Sequence, residues 1–222
     1  MPLLIYLCGL CIVLAGCTGP CILVHLALEL RRPQLGAYNI WDGFAVERYT
    51  PAPLRPINYE SEAVAFFLDF VSTLCNNNKR LVKYVLDWVA QIFQNPALKT
   101  GVAPLLKGEE GVGKNRFTDL IRAMLRDKFL QTATPSTTLY GRFTRQREGK
   151  LLIVINESSG PDNFAANDII KDMITCDEFL SEGKGTNAYT MNCYANQQRQ
   201  LLEGESRQQA LCGDASVFRA QG

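Results

Sequence analysis

The stretch Gly108-Glu109-Glu110-Gly111-Val112-Gly113-Lys114-Asn115 spaces its glycines and lysine as a phosphate-wrapping loop does. Glycines let the backbone turn tightly enough for successive N–H groups to converge on one anion. A helix starting near Lys114 adds the positive end of its dipole, and the lysine then neutralises the outer phosphates as a point charge. The usual pattern, G-x-x-x-x-G-K, closes on a serine or threonine whose hydroxyl binds Mg²⁺. Asn115 stands in that place. An amide oxygen is an acceptable hard ligand for this ion, which keeps several waters in any case, so weakened rather than abolished metal binding is expected. The ligands this pattern predicts are ATP and Mg²⁺.

The second half of such a site is an acid at the end of a neighbouring strand. Glu157 closes "LLIVINE" and would position or deprotonate the attacking water. The competing reading makes it a solvated carboxylate at a strand end. Asn156 occupies the position where a metal-contacting aspartate is common, so the expected metal side is Asn115, Asn156 and Glu157, with amides at the first two.

Chemistry of this kind needs elements that hold it. "GVAPLLKG" reads as a buried strand before the loop, starting after Pro104, because a central strand needs its N–H groups. "KNRFTDLIRAMLRDKF" puts Phe117, Leu120, Ile121, Met124 and Leu125 on one helical face. "KLLIVINE" carries an apolar run, Leu151 to Ile155, of the type a parallel strand covered on both faces shows. Upstream, Val64, Phe67, Leu68, Val71 and Leu74, and then Leu81, Val85, Trp88, Val89 and Ile92, predict two helices separated by "NNN" at 76–78. Asn95-Pro96 ends the second. The expected fold is α/β: a P-loop NTPase parallel-sheet core preceded by a helical hairpin and an apolar N-terminal segment. The expected boundaries are 1–32 for the apolar leader, 38–98 for the helical region, 99–196 for the core and 197–222 for an irregular tail.

The totals exclude some classes. Hydrophobic residues are 47% and charged residues 20% of 222, a globular rather than disordered balance. A net charge of +1 lacks the basic footprint of a dedicated duplex binder. Of eight cysteines, Cys8, Cys11, Cys17 and Cys21 crowd the leader, and the rest are far apart, unlike a secreted disulfide framework. Those four with His25 imitate a zinc series but sit in an apolar run without polar turns. The leader itself is either membrane-associating through residues 1–30 or spurious. Leu14-Ala15-Gly16-Cys17 imitates a lipoprotein box without the preceding positive charge such a signal requires. A nucleotide-hydrolysing domain finds little ATP outside the cell, which favours an intracellular chain.

The blocks "YNIWDGFAVER", "YVLDWVAQIFQNP", "GVAPLLKGEEGVGKNRF", "GKLLIVINES" and "YTMNCYAN" occur in the order found in superfamily 3-like helicase domains of phage and viral primase-polymerase proteins. The chain resembles that helicase part over roughly residues 38 to 196. The resemblance implies an AAA+-like ATPase that assembles into a homo-oligomeric ring and unwinds nucleic acid, with single-stranded DNA as partner. By position it makes Gly108, Gly111, Gly113, Lys114 and Asn115 the phosphate loop, and Asn156 and Glu157 the second motif. It also places a hairpin, "SEGKGTNAY", whose Lys184 would contact the nucleic-acid backbone; an ordinary glycine turn is the alternative, and Lys171 is a secondary candidate. The family's sensor strand and arginine finger have no match in "QQRQLLEGESRQQALCGDASVFRAQG", so the resemblance implies a C-terminally truncated AAA+-like core, a fragment. Three functions compete: a helicase-type ATPase, a non-catalytic nucleotide-binding remnant, and a membrane-anchored protein with a degenerate loop.

Overall fold

A computed structural model describes residue 44 and residues 62–139, 141–156, 170–202 and 217–219. The leader with its cysteines, and Glu157, lie outside the described residues. The chain divides into two compact units, one of residues 1–98 with 115–126, the other of residues 99–114 with 127–222.

In the first unit, α1 (Glu62–Leu74) buries Val64, Phe67, Val71 and Leu74, the face the apolar spacing predicts. Its chain reverses through Asn76 and Asn77, both at positive φ, a conformation asparagine tolerates better than most residues. Asn78 then caps α2 (Lys79–Gln94), its side-chain oxygen accepting the N–H groups of Arg80 and Leu81. α2 buries Val85, Trp88, Val89, Ile92 and Phe93, and Phe93 packs its ring 5.3 Å from that of Phe44. The helix after the glycine loop, α3 (Lys114–Leu125), belongs to this unit from Asn115 onward.

The second unit is a parallel sheet with an antiparallel hairpin. Four strands make its centre in the order β2 (Phe129–Thr132), β3 (Leu152–Ile155), β6 (Asn196–Leu202) and β1 (Leu105–Gly108). A short strand β7 (Val217–Arg219) pairs in parallel with the free side of β1. β1 begins directly after Pro104, whose carbonyl accepts the Arg199 N–H. All four residues of β3 are buried, as a strand covered on both faces requires. Ile153 and Ile155 pack with Leu139, Ile170, Met173 and Ala195 on one side of the sheet. A single turn, α4 (Pro135–Thr138), follows β2, and residues 170–175 are helical. The hairpin pairs β4 (Glu178–Ser181) with β5 (Tyr189–Asn192).

One expectation is corrected. Residues 197–222 are not an irregular tail without a strand: residues 196–202 form β6, seated between β3 and β1, and 217–219 form β7. The polar run "NQQRQ" hides a strand because pairing uses backbone groups that every residue carries. Gln197, Gln198 and Gln200 are buried there despite their amides.

Candidate functional site

All five sheet strands run the same way, so the chain leaves β1 and β3 at the same edge of the sheet. Open parallel sheets take their ligands at that edge. The residues after β1 form the glycine loop, and Asn156 is the first residue after β3. β6 alone separates the two strands.

The loop is shaped by Gly111 (φ +89°) and Gly113 (φ +95°), both in the left-handed region that side chains with a Cβ rarely enter. Gly108 is different: it ends β1 as an ordinary strand residue, paired with Leu202. Glu109, Glu110 and Gly111 are exposed and Val112 half-buried. Lys114 opens α3 and is itself only 6% exposed. Its ammonium folds back into the loop and donates to the carbonyls of Gly108 (2.6 Å) and Glu109 (2.8 Å). Asn115 is exposed, and its carbonyl accepts the hydroxyl of the buried Thr118 at 2.9 Å.

Two amides complete this edge. The Asn156 N–H is fixed by the Thr132 carbonyl at 2.8 Å, whereas its buried Oδ1 has no hydrogen-bond partner among the described residues. Gln200 of β6 is buried and donates from Nε2 to the Lys114 carbonyl at 3.4 Å. Gln200 is a site residue that sequence reasoning missed. Only its place in β6 brings it to the loop, and the polar run gives no periodic signal for a strand.

Lys184 lies elsewhere, exposed in the loop that joins β4 to β5, next to Gly185 at φ +76°. Residues 142–148 brace this hairpin. Thr144 Oγ1 donates to the Leu180 carbonyl at 2.6 Å, the Arg145 N–H donates to the Glu182 carbonyl at 3.3 Å, and Arg142 pairs with Glu182 at 3.0 Å. Glu148 accepts both Ser181 Oγ and the Tyr189 hydroxyl, the latter at 2.6 Å. The Glu148 bond holds the Tyr189 phenol above its ordinary range. The Arg147 guanidinium lies 4.5 Å from the centre of the Phe179 ring. Arg142, Arg145, Phe143 and Tyr189 are thereby left on the outside around Lys184's hairpin. Lys171 stands on the 170–175 helix, away in sequence from both groups.

The fold and site define an α/β protein whose central parallel strand delivers a glycine-and-lysine loop to the carboxyl edge of its sheet. Residues 106–197 match a family model described as a family of unknown function, DUF5906. Over 129 residues the chain is 23% identical to the DNA primase-polymerase of Nitratiruptor phage NrS-1, covering 58% of this chain and 18% of that protein. Two apo structures of the C-terminal region of the NrS-1 protein share the fold. One superposes with a TM-score of 0.58 at 20% identity, covering 69% of this chain and 37% of that one. The other gives 0.57 at 19% identity, over 68% and 37% respectively. The chain thus spans well under half of each relative. Among the described residues no helix is long and apolar enough to cross a membrane.

Proposed function

We propose that this chain is the nucleotide-binding core of a P-loop ATPase that serves DNA replication, of the helicase type. One observation carries the reading: Lys114, at the first turn of α3, points its ammonium into a loop bent by Gly111 and Gly113 at the carboxyl end of β1. An ammonium held in a glycine-bent loop at the start of a helix favours the triphosphate of ATP. The strand order supports it too, since the loop follows a strand with parallel neighbours on both sides. The name of the NrS-1 relative, a DNA primase-polymerase, supports the replication setting and a nucleic-acid partner. In this reading the exposed hairpin around Lys184 meets the nucleic-acid backbone, with Arg142 and Arg145 adding positive charge nearby.

Mg²⁺ fits the donor set in one respect. Asn156 Oδ1 is a buried neutral oxygen with no partner among the described residues, and hard cations accept such oxygens. Bound there, the ion would neutralise phosphate charge, with Asn115 and Glu157 as the other candidate oxygen donors. Lys114 holds the outer phosphates and Glu157 orients the attacking water.

The decisive experiment is titration with a fluorescent ATP analogue alongside phosphate release in MgATP. Wild type is expected to bind and turn over. Lys114→Ala is expected to weaken binding by at least about tenfold, the loss of one charge-assisted contact or more. Equal binding by both proteins would refute the reading. A second reading, a nucleotide-binding module without turnover, is favoured by the amides at positions 115 and 156, which lack the usual hydroxyl and carboxylate. Binding with no phosphate release, unchanged in Glu157→Gln, would select it.

A further inference from the structure

Three cysteines among the described residues are free thiols, and two of them share a surrounding. Cys176 ends the 170–175 helix, its N–H bonded to the Asp172 carbonyl at 2.7 Å, and precedes β4. Cys193 follows β5, and its N–H donates to the Asp177 carbonyl at 2.7 Å. That bond extends the antiparallel ladder one step beyond the Glu178–Asn192 pair, so Cys176 and Cys193 bracket the base of the hairpin. The Cys176 thiol donates to the Met173 carbonyl at 3.6 Å, and burial and then the nearness of Cys193 make the Cys176 thiol harder to ionise.

The third member is Lys99. Its Nζ lies 3.8 Å from Cys176 Sγ and 3.6 Å from Cys193 Sγ. The carbonyls of Met173 and Cys176 hold that ammonium in place, each at 2.7 Å. An ammonium fixed against two sulfurs stabilises whichever of them is ionised. A small cavity lined by Arg147, Phe179, Cys193 and Tyr194 opens beside the pair.

We propose that Cys176 and Cys193 are an oxidisable dithiol, taking peroxide as oxidant, whose disulfide staples the base of the β4–β5 hairpin. The proposal is independent of the nucleotide reading. In the first step the Cys176 thiolate attacks one peroxide oxygen and the O–O bond breaks. Hydroxide leaves, takes a proton and becomes water, and Cys176 is left as the sulfenic acid. In the second step the Cys193 thiol gives up its proton and its sulfur attacks the sulfenic sulfur, expelling the hydroxyl as a second water. The two thiols lose two electrons and two protons, and one hydrogen peroxide becomes two waters. Cys176 takes the first step because it is half-buried, whereas Cys193 is buried and is placed to resolve. Burial pushes the Cys176 thiol up to about 11, and Lys99 and Arg147 oppose that rise. The reaction therefore accelerates with pH through the alkaline range.

The test uses the full chain, reduced, exposed to hydrogen peroxide, alkylated and mapped by mass spectrometry. The expected product is a linked pair of peptides holding Cys176 and Cys193, lighter by two hydrogens and separated by dithiothreitol. Buried Cys75, in the other unit, serves as the internal control and stays unlinked. In Cys193→Ser, Cys176 is expected to stop at the sulfenic acid and react with dimedone; in Cys176→Ser neither link nor adduct forms at Cys193. Recovery of both wild-type thiols as separate alkylated peptides, or links from either one to any other cysteine, overturns the proposal. The wild-type map decides the matter even where a serine variant folds poorly.

Discussion

β3 and β6 lie side by side and pair residue for residue, Leu152 with Asn196, Ile153 with Gln197, Val154 with Gln198 and Ile155 with Arg199. Their backbones do the same work, yet one strand is "LIVI" and the other "NQQR". Val154 is fully buried, and Gln198 beside it is 1% exposed. The difference lies in what burial does to each. The β3 side chains leave water and gain packing, worth about 1.5–3 kcal/mol for each large aliphatic group. The amides of β6 leave water and must find partners. Asn196 half succeeds: its Oδ1 accepts the Thr100 N–H at 3.0 Å and hydroxyl at 2.9 Å, while Nδ2 has no partner among the described residues. Gln197 donates to the Ala195 carbonyl at 2.8 Å. Gln198 finds none for either amide atom among the described residues. An unmade hydrogen bond of this type costs about 1–3 kcal/mol. A central strand can therefore be placed chiefly by its backbone ladder, at a standing cost in stability wherever a buried amide atom lacks a partner.

The contrast can be broken or sharpened by substitution, with denaturant unfolding as the measure. The largest effect is expected from Ile153→Ala, which removes a fully buried side chain from the cluster with Leu139, Ile170 and Met173 and should cost about 2–5 kcal/mol. Next, Gln198→Leu replaces a buried amide by an apolar group of similar size and should raise stability by about 1–3 kcal/mol. Loss of stability in that variant would show that the amide has a partner and would dissolve the contrast between the strands. The smallest effect is expected from Asn196→Ala, about 1 kcal/mol lost with the bonds to Thr100, set against the relief of its orphan Nδ2.

The same contrast explains what the sequence made legible. β3 was readable because "LLIVI" carries its burial in its composition, and β1 because Pro104 sets where pairing can begin. α1 and α2 followed from apolar spacing, and the asparagine run marked the break between them, where Asn78 caps α2. β6 was illegible for a physical reason: no residue in "NQQRQ" has a preference for the interior, and the ladder that recruits it comes from β1 and β3. The site divides along the same line. Gly111, Gly113 and Lys114 announced themselves through backbone freedom and charge at fixed spacing. Gln200, which reaches the loop only through its seat in β6, did not. The pairing of Lys99 with Cys176 and Cys193 was equally silent, because residues distant in the chain meet there only after folding.

Lys114 has one more consequence. By bonding the carbonyls of Gly108 and Glu109, its ammonium already occupies the loop with a charge that belongs to the chain. If the loop takes a phosphate as proposed, the anion would meet a seat kept in shape by an internal guest, and would have to draw that guest outward rather than assemble the seat from a slack loop. On that proposal Lys114→Arg, whose flat and wider guanidinium does not fit the place of a compact ammonium, is expected to bind the nucleotide more weakly despite keeping the charge.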